Sequence, residues 1–337
     1  MAACDSESAG GRRRPAREQE PGRRDFLKKL GVLPAAWMAA GHGTASSAAP
    51  AEPAATNLRS VPTEQPKLPQ IRLGPYSISR LICGANPFNA GSHLSVFVNQ
   101  QMRAYYTPEQ ILKTLRRCRE VGINCWQSGV GNIELYRRLI DEGGQMHFIA
   151  IDSGGPESIE KLRRGGCIAI AHHGETTDQM FKSGRLDKMQ DYLKRVRDAG
   201  LLAGVSTHMP DVVDAVESKG WDVDYYMTCV YERHRSREAL EKLLGQAPIP
   251  VGEVYLSGDP PRMFRAIRRT KRPCLAFKIL AAGRLSEHRG WVEQAFRQTL
   301  QSIKPGDGMI VGIYDQYSDQ PAEDAEFVRR YSSTGRS

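Results

Sequence analysis

The chain has 337 residues, 40% hydrophobic and 25% charged, with a formal net charge of +9 and seven cysteines. That composition excludes collagen, coiled coil, simple disorder and a polytopic membrane protein, and it leaves enough apolar residues for a real core. The charge would suit a nucleic-acid partner only if the basic residues were gathered on one element.

They are partly gathered, at the N-terminus. Gly22-Arg23-Arg24-Asp25-Phe26-Leu27-Lys28-Lys29 is an arginine pair followed by an apolar pair and lysines, and it runs into an apolar, small-residue stretch ending at Ala49-Pro50-Ala51. This order reads as a secretory signal of twin-arginine type over residues 1–51, with the twin-arginine export machinery as partner and a periplasmic or extracellular destination. The apolar stretch is broken by Pro34 and too short for a bilayer core of about 30 Å, so no stable membrane anchor is expected after cleavage. Cleavage after Ala51 removes eight Lys/Arg and five Asp/Glu, a net +3, and leaves 337 − 51 = 286 residues carrying 9 − 3 = +6. The nucleic-acid reading loses its basic cluster with them. Residues 52–69, rich in Pro, Ala, Thr and Glu, read as a tether without packed structure.

From residue 70 to 332 short apolar runs alternate with helical segments, and residues 333–337 form a tail. Residues 71–79, centred on Gly74-Pro75, predict a small hairpin. Eight runs follow, at 80–84, 124–127, 148–152, 167–172, 203–207, 225–229, 274–278 and 309–312. Amphipathic stretches lie between them; Thr107-Pro108-Glu109-Gln110, for instance, reads as an N-cap, a proline at the first helical position and a capping-box glutamine. Eight strand–helix units predict an α/β fold, a closed (β/α)8 TIM barrel preceded by a short β-hairpin. The six cysteines of this part, Cys83, Cys118, Cys125, Cys167, Cys229 and Cys274, form no CxxC and mostly sit in the apolar runs, which predicts buried free thiols.

Side chains alternate faces along a strand. Small residues share parity with a terminal polar one in Ala150/Asp152, Ala169/Ala171/His173, Gly204/Ser206/His208 and Ala276/Lys278. With the small residues turned inward, Asp152, His173, His208 and Lys278 would converge on the C-terminal mouth, where barrel enzymes build their active sites. A carboxylate and two imidazoles on consecutive strands suit acid and base chemistry near neutral pH, or a divalent metal held by Asp152, His173 and His208. Lys278 would polarise or anchor the substrate. Glu175, Gln127, Asn132, Asn86 and Tyr231 are further candidates for substrate binding, Asn86 from a long segment, residues 85–106, that could cover the mouth.

Several segments resemble the aldo-keto reductase superfamily. Residues 73–84 look like its hairpin and first strand, Glu120-Val121-Gly122-Ile123-Asn124 its entry into strand two, and Ala203-Gly204-Val205-Ser206 its strand five. Leu280-Ala281-Ala282-Gly283-Arg284-Leu285 is similar to the turn after its strand seven, and Ser318-Asp319-Gln320 with Glu323-Asp324 to its cofactor end. The resemblance implies a barrel with an NAD(P) site near Ser206, Gly312, Ser318, Gln320 and Asp324. It also implies a tetrad of Asp, Tyr, Lys and His, whose positions fall on Gln127, near Asn132, on Asp152 and on His173, so that only the histidine is kept. The expected function is therefore an exported enzyme acting on a small polar carbonyl or hydroxyl compound, such as a sugar derivative, by acid/base or metal-assisted chemistry. The alternatives are an NAD(P)-dependent carbonyl oxidoreductase with another proton donor and a ligand-binding barrel without catalysis.

Overall fold

The structure is a computed structural model, which describes residues 67–249 and 253–332. The stretch expected to be an export signal, nearly all of the expected tether and the expected tail fall outside the described residues. A two-stranded antiparallel hairpin comes first, β1 (Gln70–Leu73) and β2 (Tyr76–Ser79), turning at Gly74, whose φ of +56° suits a residue without a side chain. Eight strands follow: β3 (Leu81–Gly84), β4 (Cys125–Ser128), β5 (His147–Asp152), β6 (Ala169–His172), β7 (Leu202–Thr207), β8 (Tyr225–Cys229), β9 (Cys274–Phe277) and β10 (Gly308–Gly312). They close in the order β10-β3-β4-β5-β6-β7-β8-β9, each pair parallel, with helices in the connections. This is the TIM barrel that the alternation predicts, with every run on a strand and the hairpin in place.

Two apolar layers hold it together. Ile71, Leu73 and Ile78 of the hairpin pack with Ile82, Cys125, Ile149, Tyr225 and Leu275 in one cluster, so the hairpin stoppers the N-terminal end of the barrel. A larger cluster, including Trp126, Phe148, Ile170, Val205 and Tyr226, lies between the strands and the surrounding helices. All six cysteines of the described residues are buried and unpaired. No helix of the described residues is long and apolar enough to cross a membrane.

Local signals set the helix boundaries. The helix Pro108–Glu120 starts on Thr107, whose side chain accepts from the Gln110 amide at 3.2 Å. The Gln110 side chain does not reach back as a capping box would; it donates to Tyr105 Oη at 2.9 Å instead. Within residues 85–106 there is a ten-residue helix, Val96–Tyr105, started by Ser95 accepting from the Val98 amide.

Candidate active site at the barrel mouth

The inward face of β7 carries Gly204 and Ser206, and His208 follows just beyond the strand end, 5% exposed. The helix Gly174–Lys182 runs beside it, with His173 as the residue before its first turn. A Cβ at Gly174 would lie 3.0 Å from Ser206 Oγ and 3.1 Å from His208 Cε1, so the glycine lets the helix start close against this strand. Gly174, Thr177, Asp178 and Phe181 form the i, i+3, i+4, i+7 stripe that faces the barrel. That spacing places a carboxylate, Asp178, 1% exposed, directly against His208.

Asp178 is saturated with donors. Thr207 Oγ1 donates to Oδ1 at 2.5 Å and the His208 amide to Oδ2 at 3.1 Å. His208 Nδ1 and His234 Nδ1 both lie against Oδ2, at 2.8 and 2.9 Å. Burial alone would raise the Asp178 carboxyl, but the bonds from His208 and His234 override it and hold the group well below the usual carboxylate range. An ionised Asp178 fixes the proton of His208 on Nδ1, and burial keeps that imidazole neutral by pulling it below its ordinary value. The lone pair is then on Nε2, for the cavity that His208 lines.

Lys278 reaches the same cavity by a different route. The strand β9 ends at Phe277, and Lys278 has φ +59°, so the alternation that would turn it outward is broken at this residue. Its Nζ is shielded from solvent and has no hydrogen-bond partner, and burial pushes the ammonium down to about 8. Among the described residues, the non-glycine residues with positive φ are Ala90, His93, Lys278, Ala281 and Ala282. All five sit in the connections that follow β3 and β9. Each such residue costs about 1–3 kcal/mol, and strain of this kind gathers where a site over-determines the backbone.

The cavity has a volume of about 660 Å³, ample for a small ligand. His173, Ser206, His208, Lys278, Gln127 and Asn86 of the expected residues line it, and so do Gly312, Ser318, Gln320 and Asp324. Arg233 closes one side, paired with Glu175 at 2.8 Å and, more closely, with Glu253, which also holds His93 at 3.0 Å.

Four expected residues stand elsewhere. Asp152 is turned to the helices: Tyr192 Oη donates to it at 2.9 Å, Ser158 Oγ at 2.7 Å and the Gly154 amide at 2.8 Å. The reason is register, because Asp152 pairs with His172, and it is Ile149 and Ile151 that face inward. Asn132 donates to Asn89 and Ser128, and Tyr231 is buried against Tyr255; neither lines the cavity. Glu175 stands behind Arg233 rather than in the wall. Sequence reasoning missed Asp178; Arg233 and His234, which follow the run at 225–229, read equally as pocket wall or solvated loop, and they stand at the cavity wall and against Asp178. A signal for Asp178 was present, since it is the charged member of an otherwise core-facing helical stripe.

A metal held by Asp152, His173 and His208 does not fit this geometry, with Asp152 facing away. Asp178, His208 and His234 are the set of three donors found together among the described residues, but their atoms already hydrogen-bond one another. Of the basic side chains that line the cavity, Lys278 has no hydrogen-bond partner, Arg233 is paired with Glu175 and Glu253, and Arg289 lies 3.9 Å from Glu323. Asp324 beside it is held neutral by burial, its carboxyl pushed up to about 8.

His172, of opposite parity to His173, is 2% exposed, with Nδ1 2.7 Å from Thr177 Oγ1. Burial, helped by His173, pushes it down to about 4. The unfolded chain takes up this proton near pH 6.5, the folded chain only near 4, so acid in that window favours unfolding by on the order of 3 kcal/mol. Urea unfolding at pH 7 and pH 4 should show this difference shrinking by that amount in His172→Gln; an unchanged difference would place the acid sensitivity elsewhere.

The fold and the site define a (β/α)8 barrel with a cavity at its C-terminal mouth, lined by apolar side chains and a few converging polar ones. Comparison with known proteins gives the same class. A structure named as an aldo-keto reductase from Pseudomonas aeruginosa superposes with a TM-score of 0.50 at 14% identity, covering 78% of this chain and 94% of the other. The glycerol dehydrogenase of Gluconobacter oxydans, also at 14% identity, covers 78% and 95% with a TM-score of 0.43. A truncated 3-deoxy-D-arabino-heptulosonate 7-phosphate synthase from Thermotoga maritima, 12% identical, covers 80% and 93% with a TM-score of 0.46. At 14% identity the first of these likenesses speaks for the barrel alone. No family model matches the sequence, and no curated protein matches it.

Proposed function

We propose that the chain is an enzyme that moves a proton at the carbon beside the carbonyl of a small polar compound, an aldose, ketose or related hydroxycarbonyl. The observation that carries this reading is the 2.8 Å contact between Asp178 and His208 at the wall of the cavity. Asp178 holds the imidazole in one tautomer and orientation, and His208 Nε2 receives the proton. His173, also neutral because burial lowers it, stands on the next strand end with no side-chain cap bond to occupy it. It is placed to exchange a proton with the carbonyl oxygen. Gln127, Asn86 and Ser206 supply hydrogen bonds for hydroxyl groups.

The test is solvent exchange. The purified chain in D2O, given a panel of small aldoses, ketoses and 2-oxo acids, should introduce deuterium at the carbon beside the carbonyl of at least one of them, read by proton NMR. Exchange no faster than in buffer across the whole panel would overturn the assignment.

A further inference from the structure

We propose that Lys278 bonds covalently to the substrate, its amine condensing with the carbonyl carbon to form an imine within the barrel mouth. This rests on the reading of the site given above and specifies the class of substrate: an aldehyde or ketone with a free carbonyl.

Three features of the structure converge on it. The first is solitude: Nζ of Lys278 is shielded from solvent and makes no hydrogen bond. A buried ammonium meant as a structural cation would be paired, since an unpaired buried charge is expensive. Glu253, the acid that bears on it electrostatically, is instead engaged by Arg233, His93 and Tyr255. The second is the backbone, because φ of +59° at Lys278 costs energy and turns the residue into the cavity wall against the strand's alternation. The third is company: His173 and His208 line the same cavity and carry the proton transfers that imine chemistry requires. The groups acting on the amine are Cys229 and Glu253, which favour its charged form, and Arg233 and Arg284, which disfavour it. Burial outweighs them all and leaves it near 8, so an appreciable fraction is a free nucleophile at neutral pH.

The step balances without an oxidant. The lone pair of the neutral amine attacks the carbonyl carbon, a C–N bond forms and the C–O bonds break. Of the two amine protons and one proton taken up from solvent, two leave with the oxygen as water and one stays on the iminium nitrogen. That cation then receives the electron pair released when His208 takes the proton from the neighbouring carbon.

The experiment is reductive trapping. The full chain is incubated with glycolaldehyde, treated with sodium cyanoborohydride and read by intact mass and peptide mapping, alongside Lys278→Arg and Lys278→Met. One reduced adduct per chain should map to Lys278, appear half-maximally near pH 8 and be absent from both variants, while exposed lysines react only at higher pH. Exchange activity should fall at least about 100-fold in Lys278→Arg, with an unchanged melting temperature showing that it folds. Label confined to surface lysines would overturn the proposal, and so would full exchange activity in Lys278→Arg. The two readings separate: exchange without an adduct removes the imine and leaves the acid/base assignment standing, whereas a mapped adduct in a chain that never exchanges removes the assignment of His208 and leaves the imine.

Discussion

Asp178→Asn should fold and lose at least about 10³-fold in deuterium exchange. The carboxylate accepts from Thr207 Oγ1, the His208 amide, His208 Nδ1 and His234 Nδ1. An asparagine keeps one acceptor oxygen, which the Thr207 hydroxyl and the His208 amide would claim. Its amide nitrogen then points at the two imidazoles as a donor. His208 must answer with an unprotonated Nδ1, which moves its proton to Nε2, the atom that has to receive the substrate's proton. The base is lost although nothing moves. Asp178→Ala goes further, because four donors lose their acceptor in a buried place, and thermal unfolding should show a loss of about 3–5 kcal/mol. An Asp178→Asn variant that exchanges at the normal rate would reduce Asp178 to a packing group and remove His208 from the base role.

The barrel was legible because it is written in period and punctuation. Eight apolar runs at regular spacing and a Gly-Pro turn suffice to predict it, and the strands occur within about two residues of those runs. The site was legible only in part, and the failures share a cause. Assigning faces by size assumes that small residues point inward on every strand. In this barrel neighbouring strands compensate one another: Gly204 faces inward beside Tyr225, while Ile149 and Ile151 occupy the interior where Ala150 was expected. Size therefore gave the correct face for His173 and His208 and the wrong one for Asp152. Lys278 reached the cavity for a reason no alternation contains, a left-handed backbone angle. Arg233 and His234 come from the connection after β8, whose path no periodicity fixes.

Gly204→Ala should unfold at a markedly lower temperature, although it adds a single methyl group. A Cβ there would lie 2.5 Å from both Cε1 and Cζ of Tyr225, far inside van der Waals contact. Tyr225 cannot yield, being wholly buried in the layer of side chains that fills the barrel, with Ile149, Met227 and Leu275 in the same cluster. Overpacking of this kind costs about 1–3 kcal/mol and occasionally more, and a clash with an immobile ring belongs at the upper end. At roughly 2–4 °C per kcal/mol for a domain of this size, the melting temperature should drop by about 6–12 °C. Tyr225→Leu in the same chain makes room and should restore part of that loss, since the two sites share one contact and are not additive. Ser206 and His208 continue the same inward line, so a β7 pushed outward carries the base with it. The residual folded protein should accordingly exchange deuterium more slowly than its folded fraction accounts for. An alanine variant with normal melting temperature and normal exchange would mean that the ring of Tyr225 has another place to go.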